Sequence, residues 1–179
     1  MLVAAAVCPA PPLLVPEVAS GAAQELAAAR TACSDALSVL AAARPDRLVV
    51  VGPGDQGKGN GTRTYPQGTP GSFRPFGVEL DVRLGQGEGR GRGEPLPTPL
   101  AVAAWLLTGT GWTTPVEGLG VDPGLAPEDC LAAGRELTAG PGRVALLVMK
   151  PKPMAISVNL TGDKAKAGEP VTVKVTEGK

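Results

Sequence analysis

There is no histidine among the 179 residues of this chain. That absence removes Ser-His-Asp and Cys-His nucleophile pairs, imidazole acid–base chemistry and every imidazole metal ligand. Aromatics are scarce: Trp105, Trp112, Tyr65, Phe73 and Phe76 are the whole set. The core must therefore be mostly Leu, Val and Ala. Neither sign of charge prevails, with 17 basic against 17 acidic residues. Such a balance gives no footprint for nucleic acid and no basic stripe for a membrane surface. No apolar run approaches the ~20 residues that span a bilayer. Three cysteines, Cys8, Cys33 and Cys130, are too few and odd in number for a disulfide framework. They fit a reducing compartment and burial as small hydrophobes. The apolar N-terminus has no basic stretch before it, and Val7 stands where a lipoprotein signal wants a small residue. It reads as a strand of a cytoplasmic protein, not a signal peptide.

What is present has the order of an α/β protein. Residues 2–7 are a short apolar run, read as a buried strand. Cys8-Pro9-Ala10-Pro11-Pro12 follows, and three prolines in four positions neither continue a ladder nor start a helix smoothly. The chain must leave the sheet there in a stiff loop. Ligands of open α/β sheets bind beyond the carboxyl ends of strands, so this loop is the first place to look for chemistry. A helix follows, with Ala22, Leu26, Ala29, Cys33, Ala36, Leu37 and Leu40 on one face. Ser20 is its expected N-cap, Pro45 its stop, and Arg44 suits its C-terminal dipole. Arg47-Leu48-Val49-Val50-Val51 reads as a strand buried on both faces, completing a right-handed βαβ unit.

Residues 52–72 read as a long loop and residues 73–84 as a strand with one wet face. Residues 85–94, with five glycines, read as a flexible surface loop. Helices are expected over 99–108 and 127–137, a short strand over 113–117 and a buried strand over 143–149. The style then changes. Residues 1–149 hold ten Arg and one Lys, whereas residues 150–179 hold six Lys and no Arg. Lys150-Pro151-Lys152-Pro153 is a stiff linker, and residues 155–160 and 171–175 read as a β-hairpin that could cover an open sheet edge. The expected division is a main α/β domain over 1–149 and a Lys-rich appendage over 150–179.

Several motifs compete for chemistry. Gly52-Pro53-Gly54-Asp55-Gln56-Gly57 fits the dinucleotide pattern, and Gly52, Gly57 and Lys58 fit a phosphate loop. Both motifs need a helix starting inside the loop, and Lys58-Gly59-Asn60-Gly61-Thr62 is poor helix. Gly59 also replaces the Ser or Thr that would hold magnesium. A flexible loop with one solvated lysine is the plainer reading. Asn60-Gly61-Thr62 and Asn159-Leu160-Thr161 match a glycosylation pattern that needs a secretory context. Cys8 could be a reactive thiol at a strand end. No cation or helix N-terminus is near it in sequence, which favours inert burial. Glu17 could face the same crevice or simply sit in a helix's first turn.

One order of pieces is distinctive. The run Pro9-Ala10-Pro11-Pro12-Leu13-Leu14-Val15-Pro16-Glu17-Val18 follows a strand and precedes a long helix. Then come Arg44-Pro45-Asp46-Arg47-Leu48-Val49-Val50-Val51-Gly52-Pro53-Gly54 and later Phe73-Arg74-Pro75-Phe76. This resembles the subunit-B-like superfamily of class III extradiol ring-cleavage dioxygenases, in the short form found in high-GC actinobacteria. The likeness covers residues 1–54 well, continues in patches to Met149 and does not reach the tail. In active members the first motif is Pro-His-Pro-Pro and the second ends Ser-Pro-His. The two histidines and a later glutamate hold non-haem iron(II), leaving open positions for catechol and dioxygen. Carried over by position, the histidines fall on Ala10 and Gly54, and neither can ligate.

The resemblance therefore implies a mainly parallel α/β sheet with flanking helices and no iron cofactor. It implies a catalytically silent relative that serves as a binding or structural subunit, by self-association or with another protein. Two rivals stand beside it. One is ring cleavage with an unusual ligand set, Cys8, Glu17 and Asp55. The other is nucleotide or phosphate binding by the loop at 52–59.

Overall fold

The computed structural model describes residues 1–55, 61–87 and 94–150, and the backbone of 156–158, 171–173 and 175–177. Strands β1 (Leu2–Pro9), β2 (Arg47–Pro53), β6 (Val116–Val121) and β7 (Val144–Lys150) run parallel in the order β6-β2-β7-β1. Strand β3 (Thr62–Tyr65) joins antiparallel to β6, making the sheet mixed. Helices α2 (Ala27–Ala42), α3 (Thr98–Thr108) and α4 (Pro127–Ala139) flank it. The expected α/β class is thus what the chain adopts. No helix among the described residues is long and apolar enough to cross a membrane.

The pleat sorts side chains between two unequal faces. On the first, Ala4, Ala6 and Cys8 of β1, Leu48 and Val50 of β2, and Ala145, Leu147 and Met149 of β7 are buried. They form one cluster with Ala29, Cys33, Leu37 and Leu40 of α2 and Leu100, Ala103 and Leu107 of α3. On the second face a small cluster of Val49, Leu119 and Val144 meets a single helix residue, Leu137 of α4. Helix α4 buries none of its residues, and Leu131 is 63% exposed. Leu48, Val49 and Val50 are nonetheless fully buried, as the continuous apolar run demands.

Gly118 shows how closely the first face is packed. A Cβ there would lie 2.9 Å from Leu100 Cδ2, 3.1 Å from Leu84 Cδ2 and 3.1 Å from Tyr65 Cβ. Gly118→Ala is expected to destabilise the fold by about 1–3 kcal/mol through overpacking. Urea denaturation checks this, and a loss below about 0.5 kcal/mol, the range of an ordinary surface change, would refute the tight fit.

Several expectations need correction. Ser20 does not cap a helix: it has φ +49°, and a 3-10 turn (Ser20–Leu26) precedes α2, which has no side-chain cap. Four residues, Pro16–Ala19, make a separate short helix, α1. Arg44 lies past the end of α2 with φ +48°. Residues 73–84 are not one strand. Pro75 lacks an N–H for a ladder and Gly77 takes φ +79°, so Arg74–Phe76 forms a 3-10 turn and only Asp81–Arg83 is strand (β5). The stretch read as loop holds β3 and also β4 (Pro70–Ser72), which pairs antiparallel with β5. The strand expected at 113–117 begins at Val116 and continues to Val121.

In the tail, β8 (Ile156–Val158) pairs antiparallel with β10 (Val175–Glu177). Val171–Val173 (β9), expected as a hairpin arm, instead pairs parallel with β1 and supplies ladder partners at that edge. Residues 88–93 of the glycine-rich loop lie outside the described residues.

Candidate functional site

Because β1, β2, β6 and β7 run parallel, their carboxyl ends lie together along one side of the sheet. Helices α2 and α3 pack on the first face and α4 on the second. The chain leaving β2 goes by way of β3 and β4 to α3, whereas the chain leaving β6 goes directly to α4. The adjacent strands β2 and β6 therefore send their connections to opposite faces. A switch of this kind opens a crevice at the strand ends.

A groove of about 740 Å³ lies there, within the ~300–1,000 Å³ usual for small-molecule sites. Its floor is the second sheet face: Val51 of β2, Leu119 and Val121 of β6, and Leu146 and Val148 of β7. Its wall is α4, through Cys130, Ala133, Gly134 and Leu137. Those four positions follow the i, i+3, i+4, i+7 spacing of one helical face. Three of them are small, so they leave the space between helix and sheet unfilled.

The exception is the C-terminal end of α4. There Leu137 packs on the sheet and Arg47 Nη2 donates to the Leu137 carbonyl at 2.6 Å. Arg47 also meets Glu117 at 3.5 Å. The guanidinium thus ties the end of α4 to the first residue of β2, and the other end of the groove is left open. Polar side chains are few. Thr62 and Asp122 line the groove, and Asp122 Oδ1 accepts the Gly124 N–H at 2.7 Å in the turn after β6.

Residues singled out in the sequence are dispersed. Ala10 is 3% exposed, and its N–H donates to the Lys150 carbonyl at 2.8 Å. Gly54 N–H donates to the Val121 carbonyl at 2.9 Å, and Gly54 lines the groove. Strand β7 lies between β1 and β2, which end one residue before them, so two ladder spacings, ~10 Å, separate Ala10 from Gly54. A methyl and a hydrogen supply no donor atom, so these two positions do not fit an iron(II) ion. Cys8 is fully buried, whereas Glu17 on α1 and Asp55 beyond β2 are exposed. Among the described residues no three His, Cys, Asp or Glu side chains are grouped to hold a metal.

Gly52 belongs to β2 itself, and a Cβ there would come 2.8 Å from Leu100 Cδ1. Gly57 and Lys58 lie outside the described residues, as do both asparagines of the glycosylation patterns. The next described element after β2 is the strand β3, so no helix N-terminus for a phosphate is found there among the described residues.

Cys8 has a partner that its sequence neighbours do not suggest. Its thiol neighbours that of Cys33 on α2 within the first-face core, and the two residues are 0% and 2% exposed. Interaction with the Cys33 thiol, then burial, push the Cys8 thiol far above its ordinary value, while the same interaction draws Cys33 down against its own burial. A thiol held protonated in this way is a poor nucleophile.

Thr62, Asp122 and Cys130 were not singled out as site residues in the sequence. Signals for them exist: the small face of α4 at 130, 133 and 134, and the Asp122-Pro123-Gly124 turn closing a strand. What fold and groove define is a mixed, mostly parallel α/β protein with an apolar crevice at its topological switch point. No protein-family model matches this chain, and no curated protein matches it significantly.

Proposed function

We propose that this chain is a catalytically silent relative of the subunit-B-like class III extradiol dioxygenases, serving as a binding subunit whose site is the apolar groove under α4. One observation carries the reading. The two positions where the resemblance puts iron-binding imidazoles hold Ala10 and Gly54, and Ala10 is packed away from solvent. The frame survives such a loss because the buried first face, rather than a metal, supplies the apolar burial that stabilises the domain. Binding through the groove suits a protein partner, a second copy or a small molecule, inside a reducing cytoplasm where Cys8 and Cys33 stay thiols.

The rival ligand set of Cys8, Glu17 and Asp55 would need a buried thiol and two exposed carboxylates on separate elements to converge. The phosphate-loop rival would need a helix where β3 follows. The test is anaerobic loading with iron(II), followed by metal quantification and oxygen uptake on protocatechuate. The expected result is iron well below stoichiometric and no uptake above the buffer rate. Stoichiometric iron with turnover would establish an active dioxygenase and overturn the proposal.

A further inference from the structure

We infer that the groove under α4 is a small-molecule site for an amphiphile with an apolar body and a cationic head, the head placed at Asp122. The inference rests on the binding role proposed above and names its ligand class. Body and head follow from different observations.

The floor is built of half-buried Val51, Val121, Leu146 and Val148, side chains of a sheet face that the rest of this chain leaves partly wet. An apolar body laid on it removes that surface from water, at about 0.8 kcal/mol for each buried CH₂. The space stays open because Ala133 and Gly134 are too small to fill it, and a Cβ on Gly134 would meet nothing within 4 Å. At one end Leu137 packs on the sheet and its carbonyl accepts from Arg47, so helix and sheet are in contact there. A ligand therefore enters apolar end first and leaves its polar end at the opposite mouth.

The sign of that polar end is set by the lining. Among the described residues lining the groove, Asp122 is the one ionisable carboxylate and no Lys or Arg is present. Asp122 has one oxygen engaged by the Gly124 N–H, and no second hydrogen bond or ion pair is formed by its carboxylate with the described residues. An ammonium there gains a charge-assisted contact, whereas a carboxylate would meet like charge. The site is half-exposed, so the head sets preference and the body supplies most of the affinity.

The protein carries its own reporter. Cys130 lines the groove and is exposed, while Cys8 and Cys33 are buried. Alkylation of Cys130 by a maleimide, followed by mass spectrometry in the presence of a chelator, reads occupancy without any activity assay. The probes are decylammonium, decanol and decanoate, which share one body and differ in head. At saturation decylammonium is expected to slow Cys130 alkylation at least tenfold. Its half-protecting concentration should be about three- to fivefold below that of decanol, the range of a partly exposed ion pair, with decanoate weakest. Asp122→Asn should abolish the difference between decylammonium and decanol while both still protect. Ala133→Phe, which fills the groove, should remove protection by all three.

If no probe protects Cys130 in the wild-type protein, the groove is not a small-molecule site and the inference fails. If all three protect equally, or Asp122→Asn leaves the order unchanged, the cationic head is wrong although the groove binds. Neither outcome depends on iron, so the inference can fail while the silent-subunit reading stands. Stoichiometric iron with turnover would instead remove that reading.

Discussion

Phe73→Ala is expected to lower the stability of the fold by about 3–5 kcal/mol, the usual cost of truncating a buried phenylalanine. Phe73 is the largest of the fully buried side chains and belongs to the first-face core. Its ring centroid lies 6.4 Å from that of Phe76, and its N–H donates to the Leu80 carbonyl at 2.9 Å. The backbone bond survives the substitution, so the loss reports packing and burial. Aromatics are few in this chain, and no second ring of that size is fully buried to compensate. Small domains are stable by only about 5–15 kcal/mol, so the substitution should remove a large fraction of the whole. Urea denaturation of wild type, Phe73→Leu and Phe73→Ala tests this, with the leucine variant falling between. A loss under 1 kcal/mol for the alanine variant would show that Phe73 is not a core anchor.

The second large effect is a loss of stability in alkali. Cys8 has its folded-state pKa raised, so the folded protein holds that proton where the unfolded chain, titrating near 9.0, has released it. Above pH 9.0 the unfolded state binds fewer protons, and stability falls as pH rises. Below it both states hold the Cys8 proton and the contribution is complete. Over two pH units above the unfolded value the loss amounts to about 3 kcal/mol, because each unit of difference is worth about 1.4. Denaturant midpoints measured from pH 8 to 11 should decline in the wild type and decline much less in the double variant Cys8→Ala/Cys33→Ala, because Cys33 left alone is still a buried thiol. Equal slopes in the two proteins would refute the buried thiol pair as the source.

Much of the main body was legible from local pattern. Of the expected helix face, Ala29, Cys33, Ala36, Leu37 and Leu40 are buried as their spacing requires, whereas Ala22 and Leu26 fall in the 3-10 turn and are not, and the apolar runs around Val50 and Leu147 are central parallel strands. These elements announce themselves because their side chains must repeat with the backbone period to reach one core. Strand β3 was missed for the opposite reason. Thr62, Arg63 and Thr64 are exposed on an edge strand, where nothing forces an apolar alternation. The alternation of Phe76, Val78, Leu80 and Val82 was misleading because Pro75 and Gly77 break the ladder it implied.

The candidate site divides along the same line. That Ala10 and Gly54 lack donor atoms is a property of residue identity, fixed before any folding. That Cys8 meets Cys33, that Ala10 and Gly54 follow strands separated by β7, and that Asp122 lines an apolar groove are consequences of strand order. The amino-acid sequence by itself determined which chemistries this protein lacks and which segments become helix or strand, because composition and side-chain period act locally. Only the tertiary structure decided where open space remains. Its position depends on which strands become neighbours and on how little of α4 reaches the sheet, and both are set by contacts between residues far apart in the chain.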